Sequence, residues 1–101
     1  MSQFNIDEKK VIVTILMAIM EADGMIHPHE VTYLDNIISS FEMNQADLDS
    51  IDEVDFRDVV SNFKRFDSIK KEQAKTIFLE MIRCDGYEDP RELDIYNLIS
   101  I

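Results

Sequence analysis

The sequence predicts an all-α protein, a single bundle of about six helices made of two related units. Apolar residues recur at three- and four-residue intervals in several stretches, which is typical of helices with one buried face. The only two glycines and the only two prolines form two pairs, Gly24 with Pro28 and Gly86 with Pro90, which lie 62 residues apart. With 101 residues and 46% apolar residues, the chain has the size and composition of one folded domain.

The repeat extends beyond the glycines and prolines. Further residues that match at the same offset of 62 are Asp23 and Asp85, Glu30 and Glu92, Ile15 and Ile77, and Ile37 and Ile99. We therefore expect residues 1–101 to form one domain containing two helix–loop–helix units, at about residues 11–38 and 73–100.

The first helix is predicted over residues 5–22. Asn5 can cap its start, with Glu8 as the reciprocal partner three residues later. Apolar residues lie nearly all the way round this helix, so we expect it to be central in the bundle. They are Val11, Ile12, Val13, Ile15, Leu16, Met17, Ala18, Ile19 and Met20. Gly24 is well placed to adopt the left-handed conformation that ends a helix.

The second helix is predicted to start at Pro28, with His27 at the cap position and Glu30 in the first turn. Its expected apolar face consists of Val31, Leu34, Ile37, Ile38 and Phe41. A short helix should follow Asn44, which can form a cap with Asp47. Leu48 and Ile51 should point inward from this helix.

The remaining helices are predicted after a connection rich in acidic residues at 51–55. Asp55 should open a helix whose apolar face consists of Phe56, Val59, Val60 and Phe63. Either Asp67 or Ser68 should cap the next helix, which runs from Ile69 to Cys84 with Ala74, Ile77, Phe78, Met81 and Ile82 as its stripe. Asp89, Pro90 and Glu92 predict a capping box for a last helix carrying Leu93, Tyr96 and Ile99. Phe4 and Phe66 are candidate surface anchors.

The charge of the chain is strongly negative and unevenly distributed. The formal net charge is −11, and no lysine or arginine occurs between Val11 and Phe56. Such a surface repels phosphate backbones and anionic membranes, so we expect neither nucleic acid nor membrane insertion. It could attract a basic protein or divalent cations, or simply keep the protein soluble. The candidate interaction surface is Glu42, Asp47, Asp49, Asp52, Glu53, Asp55 and Asp58.

The expected location is the cytoplasm. The first residues have no basic group ahead of an apolar region, as a signal peptide would. The longest apolar run, Ile15 to Met20, is too short to span a membrane. The oligomeric state is left open by the sequence.

The first Asp-Gly loop partly resembles a calcium-binding EF-hand loop. Gly24, Ile26 and Glu30 match its glycine, its apolar position and its last ligand. However, Ile19 stands where the first carboxylate ligand belongs, and Met81 stands there in the second copy. We therefore interpret both loops as structural helix corners, in which Gly24, Pro28, Gly86 and Pro90 set the backbone.

A weak cation site of another kind remains an alternative, and no resident cofactor is expected. Its candidate ligands are Asp23, Glu30, Asp85 and Glu92, with Glu21, Glu88 and Asp89 as additional carboxylates. His27 and His29 are two residues apart at a helix start and point to different faces, so they are not expected to share a metal. Cys84 is predicted to be a small residue packed where its helix ends. Because no nucleophile–base pair is visible, we expect no enzyme activity.

These residues carry a resemblance to the tellurite-resistance TerB-like family. Its pattern Ala-Asp-Gly-x-Ile/Leu-x-x-x-Glu-x-x-x-Leu is matched in the first half by Ala22, Asp23, Gly24, Ile26, Glu30 and Leu34. In the second half Asp85, Gly86 and Glu92 match, whereas Cys84, Glu88 and Tyr96 depart from the pattern.

The resemblance implies an intracellular helical bundle without established catalytic activity. It suggests a protein-interaction module of a bacterial stress (tellurite) response or a chaperone-associated complex, with an acidic and cation-responsive surface.

Overall fold

Six α-helices make up the fold in the computed structural model, which describes residues 4–22, 24, 27–53, 55–84 and 90–100. The helices are α1 (Ile6–Glu21), α2 (Pro28–Ser40), α3 (Gln45–Asp49), α4 (Phe56–Lys64), α5 (Ser68–Arg83) and α6 (Pro90–Ser100). A short 3₁₀ helix, Ser50–Glu53, occupies much of the region that the sequence suggested was a connection. The described part contains no strand, and the all-α prediction is confirmed.

Helix starts follow the capping residues that the sequence indicated. Asn5 Oδ1 accepts a hydrogen bond from the Glu8 amide at 2.8 Å, and Glu8 Oε1 accepts one from the Asn5 amide at 2.9 Å. Asn44 and Asp47 form the same reciprocal pair at α3. Asp67, rather than Ser68, caps α5. These bonds satisfy amides that have no partner inside their helix.

The helices of the two units predicted from the sequence repeat are present, α1 with α2 and α5 with α6. α1 and α5 each have 16 residues and start 62 positions apart, as do α2 and α6. Asn5 and Asp67 occupy equivalent caps. Thr14 and Thr76 are equivalent as well, and each hydroxyl donates to the carbonyl four residues earlier.

The packing of the helices is also reciprocal between the units. α1 packs against α2, α5 and α6, while α5 packs against α1, α2 and α6. This set of contacts is unchanged when α1 is exchanged with α5 and α2 with α6, which is the pattern of an approximate two-fold relation. At the α1–α5 contact, Glu8 and Lys70 form an ion pair at 3.0 Å, and these residues are themselves 62 positions apart.

The segment between the units breaks this symmetry. α4 packs against α1 and α6, so that α1 is covered by α2, α4, α5 and α6. The buried residues of α1 are Val11, Ile12, Val13, Ile15, Leu16, Ile19 and Met20, all 0–7% exposed. The predicted central position of the first helix is therefore confirmed.

Two expectations for aromatic residues were wrong. Phe4 and Phe66, predicted as surface anchors, are 8% and 9% exposed and belong to the core. Their ring centroids are 6.1 Å apart, and they join Phe41 and Phe63 in an aromatic cluster beneath the starts of α1 and α5. Such ring pairs add about 0.5–1.5 kcal/mol each beyond the area they bury.

The apolar face predicted for the second helix is also partly wrong. Leu34 and Phe41 are buried, but Val31 is 37% exposed. Gly86 and Asp89, predicted to shape the second corner, lie outside the described residues. No helix in the described part is long and apolar enough to cross a membrane.

Among the residues that the structure describes, Gly24 and Glu42 adopt the left-handed backbone conformation, each after the end of a helix. Gly24 has φ 79°, as predicted, and an added Cβ would meet no atom within 4 Å. Glu42 has φ 57° and follows α2. Its amide donates to the Ser39 carbonyl at 3.1 Å, and the Met43 amide donates to the Ile38 carbonyl at 3.3 Å. This pair of bonds is a Schellman motif, in which glycine is the usual residue at the place of Glu42.

Substitutions at these two positions should have opposite effects on the free energy of unfolding. Gly24→Val should destabilise by about 1–2 kcal/mol through backbone strain alone, because the space is open. Glu42→Gly should raise the free energy of unfolding by up to about 1 kcal/mol, because glycine adopts positive φ without strain. The greater freedom of glycine in the unfolded chain lowers this gain. Urea unfolding measures both.

Two control variants isolate the backbone effect. Gly24→Asn should cost less than Gly24→Val, because asparagine tolerates the left-handed region. Glu42→Gln removes the charge without relieving strain. An unchanged unfolding midpoint for Gly24→Val would contradict this description of the corner.

Candidate functional site: buried glutamates and an acidic segment

Two glutamates at equivalent positions are removed from solvent. Glu30 is the third residue of α2 and Glu92 the third residue of α6, and they are 0% and 2% exposed. They are the only charged residues in the buried set of the described part. A carboxylate taken out of water costs several kcal/mol unless other groups or a cation compensate it. Burial of the same side chain type in both units makes these positions candidates for a structural or ligand-binding role.

The sequence located these glutamates in the first turn of each helix but did not reveal their burial. A signal was present, because Glu30 shares a helix face with Leu34 and Ile37, at spacings of four and seven residues. Glu92 shares a face with Tyr96 and Ile99 in the same way. A glutamate in line with an apolar stripe points inward.

The other predicted cation ligands are not brought together by the described residues. Asp23, Asp85, Glu88 and Asp89 lie outside that part, and Glu21 is exposed at the end of α1. Within it, no group of three or more histidine, cysteine, aspartate or glutamate side chains is arranged to hold a metal ion. The buried candidate ligand in the described part is thus Glu30 at the first corner and Glu92 at the second.

The acidic segment, residues 42–58, is largely exposed. Glu42, Asp49, Asp55 and Asp58 are exposed, while Asp47 is half-buried. Asp52 and Glu53 lie in the 3₁₀ helix, and their side chains are outside the described part. The Asp47 carboxylate accepts a hydrogen bond from the Asn44 amide and that of Asp55 accepts one from the Arg57 amide, so part of this charge stabilises helix starts.

The carboxylates of the acidic segment whose side chains are described are not neutralised by ion pairs. None of the five described carboxylates of this segment forms an ion pair with a described basic residue. Arg57 is the only lysine or arginine in the segment. The exposed negative charge is therefore available to a partner.

A groove with polar and apolar walls runs between α2 and α5. The Tyr33 hydroxyl donates to Glu80 Oε2 at 3.2 Å across it. Burial, together with the nearby Glu80 carboxylate, raises the pKa of Tyr33 well above its usual range, so the phenol remains a hydrogen-bond donor. Cys84, at the end of α5, is half-buried, in agreement with the small packed residue that the sequence suggested. The sequence did not predict this groove, because it depends on which helix faces stay uncovered.

Comparison with protein-family models, with curated proteins and with solved structures gives no match to this chain.

Proposed function

We propose that this chain is a non-catalytic, TerB-like interaction module whose acidic segment binds a basic protein partner. The observation that carries the proposal is the exposure of Glu42, Asp49, Asp55 and Asp58 without ion pairs to described basic residues. Unpaired surface charge of one sign speeds the encounter with a partner of opposite charge and favours the correct register. The TerB-like resemblance adds a cellular setting, a bacterial stress response or a chaperone-associated complex.

Neutralising the acidic segment should weaken the binding of a basic probe more than an equal change of net charge elsewhere. The test variant combines Glu42→Gln, Asp49→Asn, Asp55→Asn and Asp58→Asn, and the asparagine at position 55 keeps the helix cap. If each of the four exposed charges contributes about 0.3–0.5 kcal/mol to the free energy of binding, their removal should weaken binding roughly tenfold. Fluorescence anisotropy with a labelled Lys/Arg-rich peptide measures it at several salt concentrations.

The matched control neutralises four exposed acidic residues outside the segment: Asp7, Asp35, Glu72 and Asp94. The control has the same net charge as the test variant, and it should bind the peptide more tightly than the test variant does. Binding to the wild type should weaken with added salt, because screening acts on exposed charges. Equal loss in both variants, or binding indifferent to salt, would overturn the proposal.

A second candidate function, weak binding of a divalent cation at the helix corners, is favoured by one observation. Glu30 and Glu92 are buried at equivalent positions directly after the two Asp-Gly loops. Oxygen ligands of this type suit Ca²⁺ and Mg²⁺. Asp23 and Asp85 would have to supply the neighbouring carboxylates.

Cation binding predicts stabilisation that depends on Glu30. At a cation concentration about 100 times the Kd, the free energy of unfolding should rise by about 2.7 kcal/mol. Glu30→Gln and Asp23→Asn should abolish this increase, whereas Glu72→Gln, at an exposed position, should retain it. Calorimetry and thermal melting with Ca²⁺, Mg²⁺ and Zn²⁺ measure the effect. An absence of heat and of stabilisation at millimolar cation would rule the function out.

A further inference from the structure

A hollow of about 400 Å³ lies between α1 and α4, two helices that pack against each other. Each helix contributes a stripe of side chains to it, because residues three or four positions apart share a helix face. The stripe of α1 includes Asp7, Lys10, Val11 and Thr14. The facing stripe, on α4 and the two residues after it, consists of Val59, Asn62, Arg65 and Phe66.

The hollow is apolar at its base and polar at its rim. Val11, Val59 and Phe66 are 7%, 1% and 9% exposed, and they form the base. Asn62 and Arg65 are exposed at the rim. An apolar lining with a few converging polar groups, in a volume of about 300–1,000 Å³, is typical of small-molecule sites. An amphipathic molecule therefore fits this space with its polar group at the rim.

Two basic side chains reach the hollow from opposite walls. Lys10 belongs to α1 and is half-buried, and Arg65 follows the end of α4. Neither side chain forms a hydrogen bond or an ion pair with a residue that the structure describes. In a chain with 21 acidic and 10 basic residues, both cations therefore remain available to an anion.

The charges around the hollow favour a ligand with one negative charge. Glu8 also lines the hollow, but its carboxylate is already paired with Lys70. Lys10 and Arg65 bring two positive charges, and Asp7 brings one negative charge. The surplus is one positive charge, which a monoanion neutralises and a dianion exceeds.

Two further hollows beside α5 lack this arrangement. The first, of about 370 Å³, is lined by no charged residue among those that the structure describes. The second, of about 600 Å³, is lined by one charged residue of each sign, Glu80 and Arg83. The surplus of positive charge thus distinguishes the α1–α4 hollow from these two.

We propose that the α1–α4 hollow binds a small monocarboxylate with an apolar body. The carboxylate lies between Lys10 and Arg65, and the apolar body packs on Val11, Val59 and Phe66. Arginine suits this role because its planar guanidinium donates two parallel hydrogen bonds to one carboxylate. The Asn62 amide supplies a further donor at the rim. This site is separate from the acidic segment and goes beyond the proposed function.

The probe is 3-phenylpropionate, a monocarboxylate with an aromatic body. We expect saturable amide shift changes at Val11, Thr14, Val59 and Asn62 of the isotope-labelled protein, with a Kd of roughly 0.1–1 mM. The neutral 3-phenylpropanamide has nearly the same shape but no charge for the two basic side chains to attract. It should therefore bind at least about fivefold more weakly.

A matched pair of variants locates the charge that matters. Arg65→Gln removes one cation of the hollow and should weaken the binding of 3-phenylpropionate roughly five- to tenfold. Lys64→Gln makes the same change of net charge at the neighbouring exposed residue, which does not line the hollow, and should change the Kd by less than about twofold. Asp7→Asn removes the opposing carboxylate and should tighten binding by about two- to threefold.

Several outcomes would overturn the inference. They are an absence of saturable shifts at about 10 mM probe, equal affinity for the carboxylate and the amide, and equal losses in Arg65→Gln and Lys64→Gln. Shifts confined to Gln73 and Ile77 would also overturn it, because they would place the binding in the α2–α5 groove. Neutralising the acidic segment leaves the α1–α4 hollow intact, so failure here and failure of the proposed function are distinguishable.

Discussion

The burial of the apolar residues at the centre of α1 is the constraint on which the rest of the structure depends. Its apolar residues lie on nearly every side, and seven of them are 0–7% exposed. Each fully buried aliphatic side chain contributes about 1.5–3 kcal/mol relative to exposure, but only if other elements exclude water from it. α2, α5 and α6 cover part of the surface, and α4 completes the cover. The segment between the units is therefore part of the core and more than a linker.

The same constraint explains why two related units become unequal. α1 and α5 have the same length, equivalent caps and equivalent threonine bonds. They differ in apolar content: α1, against which α4 packs, has Val11 and Val13 at positions at which α5 has Gln73 and Lys75. Polar and long amphipathic residues can remain partly exposed. α4 thus packs against one helix of each unit, α1 and α6, and makes the surroundings of α1 and α5 unequal.

Most of the fold was predictable from the sequence, because capping residues, glycine–proline pairs and apolar spacing are local signals. Asn5, Asn44 and Asp55 open helices as expected, and Gly24 has the expected backbone. The errors concern tertiary packing. Phe4 and Phe66 lie outside helical stripes, and only their meeting with Phe41 and Phe63 buries them. The burial of Glu30 had a visible signal in its alignment with Leu34, but the groove between α2 and α5 depends on how these two helices pack.

The most direct test of this description compares the same substitution at two equivalent positions. Ile15→Ala and Ile77→Ala remove the same atoms, from α1 and from α5. Because Ile15 is 0% exposed and Ile77 is half-buried, the predicted losses of unfolding free energy are about 3–4 and about 1–2 kcal/mol in urea unfolding. Equal losses at the two positions would contradict the claim that α1 is buried more completely than α5.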